Sequence, residues 1–245
     1  MNNNNTLRLG VNLDHLVTVR QARRTLYPEL PAAIRIAEQA GADGITMHLR
    51  EDRRHIQTDD IYQSRGLITT SMNMEMAATS EMVAIALEVK PDFCCIVPER
   101  REELTTEGGL DVINNQARLI DVCGQLAEAE IKVSMFIEPD QAVIDAVCET
   151  GAPIIELHTG TYANAAGDEQ SRELDRVLKA AGYAHQCGLQ VNAGHGLAYD
   201  NVHPVAAIGL IKELNIGHAI IARALFVGLA EAVAEMKSAM TRFRE

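Results

Sequence analysis

The sequence predicts a single (β/α)8 barrel over residues 1–245, and three observations carry that expectation. Short apolar runs alternate with amphipathic stretches along the whole chain. The unit recurs about every 25–35 residues, as a β/α repeat should. One run after another also ends in closely spaced polar residues: Asn12 and Asp14, His48 and Arg50, Asn73 and Glu75, Glu156 and His158, with Asn192 and His195 closing a fifth. On a strand, residues i and i+2 share a face, so each such pair aims two polar side chains the same way from a strand's C-terminal end.

The strand candidates, in order, are 7–14, 44–49, 70–76, 93–98, 132–138, 153–158, 189–194 and the weak 214–216. Between them PAAIRIAEQA, SEMVAIALEVK, NQARLIDVCGQLAEA, DQAVIDAVCET and SRELDRVLKAAGYAHQ place apolar residues at helical spacing. Gly41, Pro91, Gly151 and Gly188 fit helix stops just before the next strand. Two connections are longer than the repeat requires. HLVTVRQARRTLYP (15–28) brings Arg20, Arg23 and Arg24 and suits an anion; ERREELTTEGGL (99–110) brings Thr105, Thr106 and the pair Gly108–Gly109 and suits a hinged loop. An open doubly wound sheet is the structural alternative. It should carry GxGxxG after its first strand, where this chain reads VNLDHLVT.

Composition narrows the function classes. Hydrophobic residues make up 47% and charged residues 23%, enough apolar material for a sizeable core in a soluble globular protein. A net charge of −12 opposes binding to a nucleic-acid backbone, so an anionic substrate must meet local positive charge. The five cysteines form no metal-like spacing and read as buried thiols in a reducing compartment. The start, MNNNNT, lacks a signal pattern, and no apolar run reaches the roughly 18 residues of a membrane span, so a cytoplasmic location is expected.

His48, Glu75 and His195 are titratable groups at or near three strand ends, suited to general acid and base roles. Any one of them alone could be a hydrogen-bonded plug. Asp14, His15, Arg50, Glu156 and His158 fall at the same mouth, and desolvating so many ionisable groups for structure alone would be costly. A divalent metal is the competing use of such residues. Against it stand the absence of His-x-His on strand one, which reads Asn12-Leu13-Asp14-His15, and the cation Arg50 two residues after His48. The last two strand ends, NAGHG (192–196) and NIGHA (215–219), are glycine-flanked turns into helical segments, where main-chain amides favour a phosphate that Arg23 could clamp. His55, in LREDRRH, lies close enough to Arg50 to make that loop a second anion contact. No Gly-x-Ser-x-Gly, mouth cysteine or mouth lysine supports covalent catalysis, and Met72, Met74 and Met76 read as packing residues.

Seven blocks in one order, GVNLDHLVTVRQAR, GADGITMHLREDRRHI, MNMEMA, KPDFCCIVPERREELTTEGGLDV, IELHTG, VNAGHGL and ELNIGHAII, resemble the pyridoxine 5′-phosphate synthase family nearly end to end. The resemblance implies condensation of 3-amino-2-oxopropyl phosphate with 1-deoxy-D-xylulose 5-phosphate, without metal or organic cofactor, in a homo-octamer. It makes His48 and Glu75 proton acceptors, His195 the proton donor and Glu156 a transition-state stabiliser. It sets the amino-ketone phosphate against Asn12, Arg23, Gly196, Gly217 and His218, and the pentulose phosphate against Asp14, His15, Arg50, His55 and Thr105. The chain departs from the family pattern at Arg24 and Ala222, where the pattern has Gly, and by one fewer residue after Tyr162; the first two are expected to alter phosphate-loop geometry. Two other classes stay open on the residues alone: a metal-dependent hydrolase or aldolase, and a barrel that only binds a phosphate ligand.

Overall fold

A computed structural model describes residues 6–98 and 108–241. Eight parallel strands, β1 (Arg8–Asn12), β2 (Gly44–His48), β3 (Ser71–Met76), β4 (Phe93–Ile96), β5 (Lys132–Ile137), β6 (Ile154–His158), β7 (Gln190–Gly194) and β8 (Ile211–Ile216), close in sequence order into a barrel. Around them run α1 (Asp14–Arg23), α2 (Leu30–Gln39), α3 (Thr58–Arg65), α4 (Ser80–Val89), α5 (Gln116–Glu128), α6 (Gln141–Cys148), α7 (Gly160–Asn164), α8 (Gly167–Gln186), α9 (Val202–Ala206), α10 (His218–Val227) and α11 (Leu229–Thr241). The predicted (β/α)8 barrel is the observed fold. Among the described residues no helix is long and apolar enough to cross a membrane.

Strand alternation sorts the side chains into two environments. Leu9, Val11, Ile45, Met47, Met72, Met74, Met135, Ile155, Val191 and Leu214 share one apolar cluster with helix residues such as Ile34, Leu119, Val177 and Val233, so the main core lies between sheet and helices. The methionines of β3 pack there, as expected. The intervening positions, which face the lumen, are largely polar, although barrel interiors are usually filled by branched apolar side chains. Asn73 Nδ2 donates to Thr46 Oγ1 (3.4 Å), Thr46 Oγ1 to Asn215 Oδ1 (3.0 Å), and Asn215 Nδ2 to Glu156 Oε2 (2.6 Å). A Cβ on Gly10 would fall 2.0 Å from Asn215 Oδ1, so this relay crosses the lumen only because β1 offers no side chain there. Near the strands' N-terminal ends Arg8 pairs with Glu213 (3.3 Å), donates to Ser71 Oγ (2.6 Å) and lies over the Phe93 ring, which Lys132 also covers.

The helix stops hold: Gly41, Gly151 and Gly188 take left-handed φ values of 108°, 79° and 84°, and Lys90 takes 52° just before Pro91. Four expectations need correction. The segment 15–28 is not a long loop, because Asp14–Arg23 is helix α1; only Asp14 and Val17 of it are buried, so it lacks the apolar stripe that announces a helix. Asp14 therefore begins a helix, β1 having ended at Asn12. Strand β8 starts at Ile211 rather than 214, its first turn of alternation hidden by Lys212 and Glu213. Cys148 and Cys187 are exposed, whereas Cys94, Cys95 and Cys123 are buried.

The two family departures also resolve differently. Arg24 is the left-handed C-cap of α1 (φ 52°, ψ 44°), a conformation that Gly adopts freely and that costs another residue about 1 kcal/mol. Ala222 lies inside α10, where alanine favours the helix, so it does not shape a phosphate loop.

Candidate active site

The strand register puts the expected chemistry at one end of the barrel. His48 pairs with Glu75 across β2 and β3, and His158 pairs with Gly194 across β6 and β7. Asn12 ends β1 and binds its neighbours in three ways: its Nδ2 donates to Asp14 Oδ2 (2.9 Å) and to Glu75 Oε2 (3.3 Å), and its Oδ1 accepts from the Asp14 N–H (2.9 Å). This turn folds Asp14 back over the mouth although it stands on a helix. The other Asp14 oxygen accepts the His48 N–H (2.9 Å) and lies 4.0 Å from His55 Nδ1. His48 and His55 rings are 5.9 Å apart. Arg50, just beyond β2, is buried, with Nε 3.5 Å from Asp52 Oδ1.

Further histidines gather at the same end of the barrel. His195 follows β7 with φ 79°, and Thr159 Oγ1 donates to its carbonyl at 2.7 Å and to that of Gly194 at 2.6 Å. Its ring lies 5.1 Å from His158 and 6.3 Å from Phe136. His15, on α1, meets His218, on α10, with Nδ1 atoms 3.2 Å apart. Gly217 packs on Asn12, where a Cβ would come within 2.9 Å of the asparagine's Cβ. Gly196, φ 75°, packs against Ala163 and Gly160.

Electrostatics distinguishes the groups. Burial, then the charges of Glu156 and Asp14, push the Glu75 carboxyl well above the usual carboxylate range, against the hydrogen bond from Asn12. Part of the Glu75 residue surface is accessible, yet its carboxyl is enclosed by Asn12 and two further acids, so desolvation governs it. Glu156 is pushed up to about 8 by burial, although Asn215 donates to it. His195 is pushed down to about 4 by burial and by the charges of His158 and His15. Burial also lowers His55 and His15. Burial thus favours the uncharged forms of both carboxyls and of His195.

Asp14, His48 and His55 offer ligand atoms within 4.8 Å of one another, the kind of set that could hold a metal. A zinc-type ion needs lone pairs at roughly 2.0–2.2 Å. Here one Asp14 oxygen already accepts the His48 N–H, His55 Nδ1 accepts the Ile56 N–H (3.0 Å), and the Arg50 charge acts on His55. The set fits proton and anion handling better than an ion.

Of the sequence-derived residues, Asn12, Asp14, His15, His48, Arg50, His55, Glu75, His195, Gly196, Gly217 and His218 lie at or just beyond the mouth ends of strands, and Glu156 lies mid-strand in β6, in the lumen. Arg23 ends α1 and is exposed, without a hydrogen bond or ion pair among the described residues. Arg20, on the same helix, is held by Asp60 through two bonds of 2.9 and 2.5 Å and offers no anion site. Thr105 and Thr106 lie outside the described residues. Sequence reasoning missed Asn215 and Glu138, though Glu213–Asn215 and Phe136–Glu138 repeat the i, i+2 polar or aromatic ending that marked the other strands.

Residues 9–242 match the family model described as pyridoxal phosphate biosynthesis protein PdxJ. The chain is 61% identical over 245 residues to a pyridoxine 5′-phosphate synthase of Thioalkalivibrio sulfidiphilus, covering 100% of both chains. It is 56% identical over 233 residues to one of Coxiella burnetii, covering 95% of this chain and 97% of that one. Among solved structures, KGPDC from Streptococcus mutans is similar with TM-score 0.63 and 12% identity (98% and 100% covered), and TrpF from Jonesia denitrificans with TM-score 0.60 and 13% identity (96% of each). The last two show likeness of fold alone.

Proposed function

The chain belongs to the PdxJ family of pyridoxal phosphate biosynthesis proteins, and on that premise we propose how its mouth carries out the family's ring closure. It is an enzyme, and its activity is pyridoxine 5′-phosphate synthesis from small phosphorylated substrates. The substrates are 3-amino-2-oxopropyl phosphate and 1-deoxy-D-xylulose 5-phosphate. Joining an amine to a ketone, closing a carbon–carbon bond and losing water and phosphate takes several proton transfers in one chamber. His48 and Glu75 accept protons, His195 donates, and Glu156 stabilises charge in the transition state.

The observation that carries this reading is the pair of opposed shifts, Glu75 raised and His195 lowered, at one mouth. Burial favours the uncharged form of each group, opposite to the form its role uses. Substrate charge corrects both: an amine cation beside Glu75 favours its carboxylate, and a phosphate beside His195 favours the imidazolium. Proton transfer is thereby tied to occupancy. Asn12, Gly196, Gly217 and His218 hold the amino-ketone phosphate, with the first turn of α10 presenting main-chain N–H groups. Asp14, His15, Arg50 and His55, with Thr105, hold the pentulose phosphate. Arg23, exposed at the end of α1, is the charged clamp set against the amino-ketone phosphate.

Purified protein mixed with both substrates under excess chelator should form pyridoxine 5′-phosphate. Activity lost on chelation and restored by one stoichiometric divalent ion would instead favour metal chemistry at Asp14, His48 and His55, the second reading that their spacing supports.

The working form is a homo-oligomer, the octamer implied by resemblance, in the cytoplasm. Four exposed apolar side chains support an assembly: Leu26 (91% exposed), Tyr27 (69%), Leu225 (75%) and Phe226 (86%). Phe226→Glu should lower the mass measured by light scattering toward that of smaller species. An unchanged mass would remove this face from the assembly.

A further inference from the structure

We propose that Glu138 is a positioning residue for the acid His195, acting through the imidazole of His158. The inference rests on the reading of His195 as the proton donor and adds two residues to which no role has been given.

Glu138 follows β5 directly and gathers donors from three directions. Its Oε1 lies 2.7 Å from His158 Nδ1 and accepts the Gly109 N–H at 3.1 Å; its Oε2 accepts from Arg176 Nη2, on α8, at 2.9 Å. An ionised carboxylate only accepts, so the shared proton resides on His158 Nδ1 and the tautomer is set. The hydrogen bond from His158 holds the Glu138 carboxyl below the usual range, with Arg176 adding to it. The Glu–His contact is thus an interaction of the charged acid.

His158 Nε2 lies beside Gly160, which also adjoins the His195 ring. A Cβ on Gly160 would fall 2.4 Å from His158 Nε2 and 3.0 Å from His195 Cδ2, so the glycine leaves the space in which the two rings approach. Phe136 closes the other side, T-shaped to His158 with centroids 5.2 Å apart. Held by Glu138, Phe136 and Gly160, His158 presents a fixed ring at 5.1 Å from His195. Its charge is one of the two that act on His195, the other being that of His15 from α1. Around Glu138 the charged groups are His158 and Arg176, and Glu173 reaches Arg176 at 3.0 Å. A serine or asparagine at 138 could hold a strand end equally well; the carboxylate is what takes the His158 Nδ1 proton, the Gly109 N–H and the Arg176 guanidinium together.

Gly109 belongs to the same arrangement. A Cβ there would sit 2.2 Å from Glu138 N and 2.5 Å from Ile137 C, main-chain atoms that cannot yield, and the adjoining Leu110 N–H donates to Phe136 O at 2.7 Å. The chain entering α5 therefore braces the backbone that carries Glu138.

Glu138→Gln keeps size and a hydrogen-bonding oxygen but removes the charge. The inference expects the His195 titration, followed by the imidazole Cε1–H resonance in the full-length protein, to move by about half a pH unit or more, with the matching limb of the kcat profile moving alike. Turnover should fall about tenfold at neutral pH with KM nearly unchanged, and Glu138→Asp should recover part of it. If Glu138→Gln does not fold, His158→Gln serves the same titration. A His195 titration and pH profile unchanged in these variants would overturn the inference. Failure of the underlying reading looks different: His195→Gln would then retain wild-type turnover, whatever Glu138→Gln does to the titration.

Discussion

Glu75→Gln is expected to lower kcat about a thousandfold, within the range for loss of a general acid–base group, while leaving the binding of either phosphorylated substrate within a few-fold. Glutamine has the volume of glutamate, and its amide oxygen can still accept from Asn12 Nδ2, now 3.3 Å from Glu75 Oε2. The β2–β3 register that sets position 75 beside His48 is main-chain in origin and survives. Only the titratable proton is lost. The carboxyl holds that proton unusually tightly because it is desolvated near Glu156 and Asp14, so it can release and regain it as substrate charge comes and goes. Steady-state rates with calorimetric titration of each substrate separate the outcomes. A parallel loss of affinity and rate would make the mouth a binding site for phosphates and sink the catalytic role of Glu75.

Glu156→Gln should change the pH dependence of stability. In the folded protein this carboxyl is pushed from 4.5 up to about 8 by burial. Between those values the folded chain holds a proton that the unfolded chain has released. The stabilising contribution is complete below the unfolded value and is lost as pH rises through the folded one. Glutamine removes that slope and keeps an oxygen for Asn215 Nδ2. Above pH 8 the variant should be more stable than wild type by roughly 5 kcal/mol, or about 10–20 °C in Tm, with the advantage vanishing near pH 4. Glu75 and Glu213, both raised by burial, leave a residual slope in the variant. Melting curves from pH 4 to 9 test this, and parallel curves for the two proteins would show that Glu156 is ionised throughout.

Much of the architecture was legible because strands and helices advertise themselves through local periodicity. The amphipathic stretches from PAAIRIAEQA to SRELDRVLKAAGYAHQ are the helices α2, α4, α5, α6 and α8. Helix α1 escaped because it lies over the mouth, where its residues serve polar contacts rather than a buried stripe. The same pressure hid β8: Glu213 faces the lumen, where Arg8 pairs with it, and with Lys212 before it a strand that should read apolar reads charged. In both places the site and the polar lumen override the pattern that sequence reading depends on.

The sequence by itself determined the repeat, the closed parallel barrel it implies, and the identity of most groups at the mouth, since i, i+2 alternation aims side chains without reference to anything distant. Tertiary structure alone decided which of those groups feel one another. Glu75 and Glu156 are far apart in the chain yet raise each other's cost of ionising; His195 is lowered by His158 and His15 from other elements; Arg20 is withdrawn into a pair with Asp60, and Glu138 is brought to His158. Desolvation and Coulomb interaction depend on separation in space and on what water is excluded, and neither quantity is fixed until the barrel closes.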